Sequence, residues 1–453
     1  LRSMPTVIPP AGEPARLRDD RRFAFGLLAV VAAALAVRLA FAVVVDPQVA
    51  EVSDAGAYHL LGTHLAEGRG YIRPFDLTLL GEVRPTAEYP PLLPAVIGLA
   101  SLAGIDGVDG QQLVLCLLGA CTVAVIGLLG RRVGGTTVGL VAAAIAAGYP
   151  MLFQSDAVLM PETPFALLVA TSLLLAHRAA AQPGLGRFAL PGAVVGLAAL
   201  TRAEALLLAP LLLVPLALRL PGVPARRRLL LGLAGLVAAA MVVAPWTARN
   251  AVRFDGALVP VSNNLGSALD GANCDKTWST SQTGLWLYEC FGGFDLSEQD
   301  EAEAAAFHRA RGLDYVGDHL GRLPAVIAVR EARTWGVHDV EQQVLVESFE
   351  GRTVRWQTIG TRTWWVLAPF AVAGLVVLLR RRHLVWPLAS TFVLVVVTTA
   401  VTYGNQRFRV AAEPAVVVLA GVALVALSDA VRRRGPTSRG VSTPDRGAPA
   451  RAR

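Results

Sequence analysis

Long apolar segments separated by short arginine clusters most strongly limit how this sequence can fold. The clusters lie at 131–132, 226–228 and 380–382, and each adjoins an end of an apolar segment. Cytoplasmic loops of membrane proteins carry an excess of arginine and lysine. The pattern therefore predicts an all-α, polytopic membrane protein whose arginine clusters face the cytoplasm.

Composition supports this class over a soluble one. Charged residues make up 17% of the 453-residue chain and the mean hydropathy is +0.52, whereas an ordinary soluble domain is about 25% charged. The net charge of +7 would suit a nucleic-acid partner. Much of that excess lies in the arginine clusters, so we expect no nucleic-acid partner and a membrane lipid environment instead.

Alternating the apolar segments across the membrane predicts about ten transmembrane helices with both chain ends in the cytoplasm. The apolar segment at 90–103 is too short to cross, since crossing needs about 17 residues or more. It is expected to lie along the outer face, as is an amphipathic helix that begins near Asp54. The predicted transmembrane helices are 23–45, 111–130, 136–153, 163–181, 188–200, 206–220, 229–246, 363–379, 384–402 and 414–431.

The same assignment divides the chain into five regions. They are a disordered cytoplasmic tail at 1–22, an N-terminal transmembrane module at 23–246 that includes the first outer loop at 46–110, an outer loop region at 247–361, C-terminal transmembrane helices at 362–431, and a disordered cytoplasmic tail at 432–453.

This topology gathers acidic and basic side chains on the outer face although they are far apart in sequence. Carboxylates suit proton transfer, and guanidinium groups suit an anion. The set is Asp54, Asp76, Glu88, Asp156, Glu162, Arg202, Glu204, Arg249, Arg253, Arg407 and Arg409.

Several short motifs follow one another in a definite order on this topology. They are Asp54 with Tyr58-His59, Gly68-Arg69-Gly70-Tyr71, Pro85-Thr86-Ala87, Met160-Pro161-Glu162, Thr201-Arg202-Ala203-Glu204, Trp246-Thr247-Ala248-Arg249-Asn250 and Arg407-Phe408-Arg409. In this order the motifs resemble the bacterial branch of glycosyltransferase family 39. These C-type membrane glycosyltransferases include protein O-mannosyltransferase-like enzymes and the aminoarabinose transferase of lipid A. The resemblance runs from about residue 25 to about residue 430.

The resemblance implies a hexosyl- or pentosyltransferase at the outer face of the bacterial inner membrane, with its catalytic residues in the module at 23–246. It would move a sugar from a polyprenyl-phosphate donor to a hydroxyl of an envelope glycan, lipid or protein. The lipid-linked sugar is a co-substrate, and no cofactor is expected. With no carboxylate placed for a covalent intermediate, we expect the transfer to invert the anomeric carbon.

The resemblance also assigns roles to residues. Asp54 matches the family's first-loop acid, which is taken to act as general base, and Glu162 is a second catalytic carboxylate. Arg202, Arg249 and Arg407 are candidates for holding the leaving phosphate, because a guanidinium has a planar set of donors. The expected substrate-binding residues are Tyr58, His59, Glu88, Arg202, Arg249, Asn250, Arg407 and Arg409.

Other interpretations of the same residues stay open from sequence. Ser53 or Asp54 could cap the outer-face helix, and Glu162 could complement the positive end of the helix that follows it. Arg407 and Arg409 could bind lipid phosphates. Asp54 is followed by Ala55 where protein O-mannosyltransferases proper carry Asp-Glu, which leaves the acceptor open.

The alternative function is a lipid or sugar transporter or flippase. Such proteins place ionisable groups near the bilayer midplane and usually contain internal repeats. Here the charges gather at one face and we find no repeat, so the sequence favours the enzyme.

Further predictions concern Arg38 and Asp156, a pair of histidines, and a pair of cysteines. Arg38, inside the first transmembrane helix, should snorkel or pair with a carboxylate, whereas Asp156 should be solvated. His59 and His64 lack the i, i+4 spacing of helical metal ligands, so no metal is expected. Cys274 and Cys290 lie in the outer region, where the compartment is oxidising, and should form a disulfide.

Overall fold

The structure is a computed structural model that describes residues 13–45, 50, 52–291 and 300–434. This part of the chain is built from α-helices joined by short connections. In order, they are α1 (Glu13–Val44), α2 (Asp54–Ala66), α3 (Asp76–Leu80), α4 (Leu92–Leu102), α5 (Val108–Gly134), α6 (Thr136–Gly148), α7 (Pro150–Phe153), α8 (Glu162–Ala181), α9 (Leu185–Ala199), α10 (Ala205–Leu218), α11 (Ala225–Arg253), α12 (Asn264–Ala272), α13 (Asp275–Ser279), α14 (Glu301–Asp318), α15 (Leu323–Thr334), α16 (Val340–Ser348), α17 (Val354–Arg380), α18 (Trp386–Val401) and α19 (Glu413–Arg434). Short 3-10 helices occupy Gln154–Ala157, Tyr288–Cys290 and Gln406–Ala411.

Six of these helices are long and apolar enough to cross a membrane: α1, α5, α8, α11, α17 and α19. A seventh candidate is the pair formed by α6 and the segment Pro150–Ala157, which is bent by 59°. The other three predicted crossings correspond to α9, α10 and α18, which contain 15, 14 and 16 residues. At 1.5 Å per residue these three helices are shorter than the roughly 30 Å hydrocarbon core. The expected all-α, polytopic membrane fold is confirmed.

The first helix begins earlier than predicted. Residues 13–22 were expected in a disordered tail, but α1 begins at Glu13. Asp19 and Asp20 pair with Arg131 of α5, and the Arg131 guanidinium lies 4.4 Å from the centre of the Phe23 ring. These contacts explain why the helix extends beyond its apolar part. At the other end of the chain, α19 continues to Arg434.

Some of the predicted regions lie outside the described residues. These are 1–12 and 435–453 in the two predicted tails, 46–49 and 51 in the first outer loop, and 292–299 in the outer loop region.

The first outer loop contains two helices that pack tightly on each other. At 11 residues, α4 is too short to cross the membrane, in agreement with the sequence analysis. A Cβ atom on Gly98 of α4 would lie 3.0 Å from the carbonyl oxygen of Gly62 in α2. Glycine at this crossing therefore lets the two backbones approach closely.

Two ends of the helix bundle differ in charge. Asp54, Glu162 and Glu413 begin α2, α8 and α19, whereas α5 and α17 end with arginine clusters. We call the first end the carboxylate end and the second the arginine end. A 27-residue helix such as α5 is about 40 Å long, so the two ends are separated by more than the membrane core.

The contact between α9 and α11 generates a test of the packing. A Cβ atom on Gly192 of α9 would overlap the backbone carbonyl of Gly235 in α11. A backbone atom cannot move aside as a flexible side chain can, so Gly192→Ala should lower the free energy of unfolding by about 1–3 kcal/mol. Thermal unfolding in detergent should show a lower Tm.

Gly186 supplies the matched control in the same helix. A Cβ atom there would have no heavy atom within 4 Å, and alanine is the better helix former by about 1 kcal/mol. Gly186→Ala should therefore leave the Tm unchanged or raise it. Equal effects of the two substitutions would contradict the described packing of α9 on α11.

Candidate active site

The carboxylate of Glu162 lies at the centre of a buried ion cluster at the carboxylate end. Glu162 is 1% exposed. Its Oε1 accepts a hydrogen bond of 2.7 Å from Nη1 of Arg202 and another of 2.7 Å from Nε of Arg407. Arg202 comes from the α9–α10 connection and Arg407 from the 3-10 helix before α19. The cluster therefore joins three segments that are distant in sequence.

Both arginines remain charged in this environment. Burial alone would lower the pKa of Arg202, but Glu204 and Glu162 raise it above its ordinary value. Burial likewise opposes the charge on Arg407, and Glu162, Glu350 and Asp54 together raise the pKa of Arg407 well above its usual range. Two permanent positive charges thus lie beside the carboxylates.

Asp54 occupies the open side of the same cluster. Ser53, not Asp54, caps α2, since the Ser53 side chain accepts from the backbone N–H of Gly56. Oδ1 of Asp54 accepts a hydrogen bond of 2.9 Å from the Tyr89 hydroxyl, and Oδ2 lies 4.0 Å from Nη1 of Arg407. The side chain of Asp54 is 44% exposed, against 1% for Glu162. Asp54 is thus oriented by protein yet open to a ligand.

The structure adds a carboxylate that sequence reasoning missed. Glu350 follows α16 and pairs with Nη1 of Arg407. Behind it, Arg352 lies 3.4 Å from Glu347 and donates to the Ser155 hydroxyl at 3.2 Å. The sequence placed Glu350 in the large outer region but offered no motif to single it out.

The family comparison finds a match that covers most of the N-terminal module and two residues beyond it. Residues 88–248 match the family described as dolichyl-phosphate-mannose-protein mannosyltransferase. None of the curated proteins compared with the chain matches it.

Solved structures match over most of the chain. The archaeal oligosaccharyltransferase AglB from Archaeoglobus fulgidus, in complex with an inhibitory peptide and a dolichol-phosphate, gives a TM-score of 0.51 at 13% identity, covering 91% of this chain and 52% of that one. An oligosaccharyltransferase from the same organism in complex with zinc and sulfate gives a TM-score of 0.52 at 14% identity, covering 89% of this chain and 50% of that one. The chain thus spans about half the length of these oligosaccharyltransferase structures.

The chain is a membrane protein of the C-type glycosyltransferase fold. The resemblance expected from the sequence motifs is confirmed at this level, and the family match supports a glycosyltransferase. ArnT from Cupriavidus metallidurans bound to undecaprenyl phosphate also matches, with a TM-score of 0.41 at 15% identity over 90% of this chain and 78% of that one.

Within this C-type fold, Arg249 contacts the first outer loop. Its guanidinium donates to the carbonyl oxygens of Thr86 and Tyr71, each at 2.7 Å, and lies 4.8 Å from the centre of the Trp246 ring. The expectation that Arg249 holds the leaving phosphate stays a prediction. Arg249 fixes the first outer loop, because two loop carbonyls need its donors.

Asn250 and Arg409 are also occupied by structural contacts. Asn250 is fully buried and donates to the carbonyl of Val259 at 3.0 Å. Arg409 is fully buried, lies 3.3 Å from Glu413 and stacks 4.5 Å from the centre of the Trp364 ring. Both side chains are buried in these contacts, and their part in substrate binding stays a prediction.

Two further predicted residues, Tyr58 and His59, lie on the same helix as Asp54. Tyr58 is buried and packs edge-to-face on Tyr89, with ring centres 5.0 Å apart. His59 points to α5, where Nδ1 lies 2.8 Å from Oε1 of Gln111. Tyr58 therefore supports the Tyr89–Asp54 contact, and His59 does not join the cluster.

Glu88 lies beside the same opening. Glu88 is exposed. Desolvation by the neighbouring protein, together with the negative charges of Glu301 and Asp54, raises the pKa of Glu88.

Asp156 is buried rather than solvated, which corrects the sequence expectation. Its Oδ2 accepts from Nε of Arg38 at 2.6 Å, and its Oδ1 accepts from the Thr163 hydroxyl at 2.7 Å. Arg38 lies within a transmembrane helix, where an unpaired charge is costly, so it pairs instead of snorkelling. This ion pair links α1 to the start of α8.

The cysteine and metal expectations concern other parts of the fold. Cys274 and Cys290 form a disulfide with Cα atoms 5.9 Å apart. Among the described residues, no three His, Cys, Asp or Glu side chains are grouped so that they could hold a metal ion.

Glu350 gives a pH-dependent prediction. Burial raises the pKa of Glu350 from its ordinary 4.5 to about 7, despite the opposing effect of Arg407. Between these values the folded protein holds a proton that the unfolded chain releases, so this group's contribution to stability falls as pH rises from about 4.5 to about 7. Glu350→Gln cannot titrate, so the variant does not lose this stability as the pH rises. Relative to the parent, the Tm of Glu350→Gln should therefore rise on going from about pH 5 to about pH 8.

Thermal unfolding of parent and variant in the same detergent would measure this difference. Glu341→Gln, a change at an exposed position in α16, is the control and should follow the parent profile. A Glu350→Gln profile parallel to the parent would show that the Glu350 carboxyl is not disfavoured in its charged form.

Proposed function

We propose that this protein transfers a sugar from a polyprenyl-phosphate donor to an acceptor hydroxyl at the carboxylate end of the bundle. The observation that carries the proposal is the difference between two carboxylates that share Arg407. Glu162 is buried and bonded to two arginines, whereas Asp54 is exposed and held by Tyr89. Glu162 positions the two arginines, and Asp54 is free to accept a proton.

Asp54 is the general base in this proposal. A hydroxyl is a weak nucleophile until its proton is removed in the transition state, and a carboxylate must lie within hydrogen-bond reach to remove it. The Tyr89 hydroxyl occupies one oxygen of Asp54 and thereby fixes the plane of the carboxylate. The second oxygen is directed toward Arg407 and the opening, where the acceptor hydroxyl would lie.

Arg407 is the residue that stabilises the leaving phosphate. Negative charge develops on that phosphate as its bond to the sugar breaks, and a prearranged guanidinium stabilises this charge most when little reorganisation is needed. The described contacts of Arg407 with Glu162 and Glu350 use Nε and Nη1, which leaves Nη2 for a ligand. Arg202 is held behind it by Glu162 and Glu204 and adds a second positive charge.

The reaction is a single displacement with inversion. The acceptor oxygen forms a bond to the anomeric carbon, the bond from that carbon to the phosphate oxygen breaks, and the acceptor proton passes to Asp54. A covalent sugar intermediate would need a second accessible carboxylate on the opposite face of the sugar. Glu162 does not supply one, because its Oε1 is bonded to two guanidinium groups and the side chain is buried.

The comparisons support the class of donor. The matching family is described by a dolichyl-phosphate mannose donor, and one matching AglB structure contains a dolichol-phosphate. We therefore propose a polyprenyl-phosphate hexose or pentose as the donor and an envelope hydroxyl as the acceptor. No cofactor enters this mechanism.

The location follows from the charge of the two ends. The chain is a multi-pass membrane protein, and its arginine end is expected in the cytoplasm by the positive-inside rule. We propose that the carboxylate end faces outward from the bacterial inner membrane.

Substitution of Asp54 tests the mechanism. Asp54→Asn retains the shape of the side chain and an oxygen for the Tyr89 hydroxyl but loses the basic group. Turnover of a polyprenyl-phosphate sugar should fall by about two to four orders of magnitude, the range that general acid–base catalysis supplies. Initial rates of sugar transfer by the purified protein would measure this fall, and the Tm should stay within about a degree of the parent.

Glu67→Gln is the control for this experiment. Glu67 caps the C-terminal end of the same helix, and its side chain is 43% exposed. This variant should retain parental turnover. A folded Asp54→Asn protein with near-parental turnover would rule out Asp54 as the base.

A further inference from the structure

A second site candidate lies at the arginine end, opposite the carboxylates. A cavity of about 420 Å³ opens there between the ends of α5, α8 and α10 and the turn before α18. Its polar lining consists of Arg132, His177, Arg219 and His383, and none of the residues that line it is acidic. The rest of the lining is apolar and includes Leu216 and Leu384. The proposed transfer reaction makes no use of this cavity.

Arg132 and Arg219 are oriented by protein contacts that use only part of their N–H donors. The Arg219 guanidinium lies 4.4 Å from the centre of the Trp386 ring, and the Trp386 indole donates to the carbonyl of Leu211 at 2.9 Å. Arg132 donates to the carbonyl of His177 at 3.4 Å. Each guanidinium carries five N–H donors, so these contacts orient the arginines without using up their capacity for an anion.

The buried ring of His177 is a second, independent observation that indicates a ligand. The side chain is only 7% exposed, yet it lines the cavity. Its Nδ1 lies 2.9 Å from the carbonyl of Leu173, which only accepts, so Nδ1 carries the proton. Nε2 forms no hydrogen bond of ordinary distance and angle with the described residues, although the backbone of Leu384 also acts on the ring. A buried, unpaired nitrogen is costly, and a hydroxyl donor in the cavity would satisfy it.

The chemistry of the cavity matches a lipid headgroup. Basic pockets between transmembrane helices on the cytoplasmic side bind anionic headgroups, and the apolar lining suits the glycerol and the first carbons of acyl chains. We propose that this cavity binds the headgroup of an anionic membrane lipid, with its phosphate on Arg132 and Arg219 and a headgroup hydroxyl donating to Nε2 of His177. Phosphatidylglycerol has both features.

Native mass spectrometry of the full-length protein in detergent tests this site. The parent should retain phosphatidylglycerol at least about tenfold more tightly than phosphatidylcholine, because only the former carries net negative charge. It should also prefer phosphatidylglycerol several-fold over phosphatidylmethanol, an anionic lipid without headgroup hydroxyls. Arg132→Gln combined with Arg219→Gln should weaken phosphatidylglycerol binding about tenfold or more, since each arginine contributes electrostatic attraction.

Arg178→Gln combined with Arg187→Gln is the matched control. Both arginines are exposed near the same end of the bundle, neither lines the cavity, and the double variant loses the same charge. The control should bind phosphatidylglycerol as the parent does. If both double variants lost phosphatidylglycerol binding equally, the loss would be explained by general surface charge. That result would overturn the site.

Two further outcomes would also overturn the assignment. Equal binding of phosphatidylglycerol and phosphatidylmethanol would remove the role given to His177. Displacement of phosphatidylglycerol by millimolar inorganic phosphate would identify a free-phosphate site instead of a lipid headgroup site. Because binding is measured without a sugar donor, the result is independent of the proposed transfer reaction.

Discussion

The ion cluster of Glu162, Arg202 and Arg407 determines the geometry of the carboxylate end. A buried carboxylate without partners would lose several kcal/mol of hydration, so Glu162 requires both arginines. Meeting that requirement holds together the start of α8, the α9–α10 connection and the segment before α19. Arg407 then extends the cluster to Glu350 and to the edge of Asp54. A single buried charge therefore fixes the position of the cation that the proposed chemistry uses.

The same cluster separates the roles of the carboxylates. Glu162 accepts from two permanent cations and is closed to solvent, whereas Asp54 meets Arg407 only at 4.0 Å and is open. Tyr89 orients Asp54, and Tyr58 packs behind Tyr89. Arg249 adds stability from outside, because it ties the loop carbonyls of Tyr71 and Thr86 to α11. The geometry of the opening thus depends on Tyr89, Tyr58 and Arg249 as well as on the ion cluster.

The sequence predicted the helices of this structure better than the side-chain contacts between them. Arginine clusters and apolar length are properties of short segments, so they located the helices and placed Asp54, Glu162, Arg202 and Arg407 at one end. The partners of Arg249 are backbone carbonyls, which every residue carries, and no pattern in the sequence distinguishes them. Glu350 lies in a large outer region without a motif, and the pairing of Asp156 with Arg38 joins helices 118 residues apart. Such contacts appear only after the chain has folded.

The central claim is that this fold cleaves a polyprenyl-phosphate sugar by one direct displacement. The most direct measurement uses purified protein, polyprenyl-phosphate hexose and pentose donors labelled at the anomeric carbon, and an envelope fraction as acceptor. NMR would follow the configuration of that carbon while free polyprenyl phosphate is quantified. We predict acceptor-dependent release of polyprenyl phosphate and a product of inverted configuration. Retained configuration, or movement of the intact donor across a membrane without cleavage, would contradict the account.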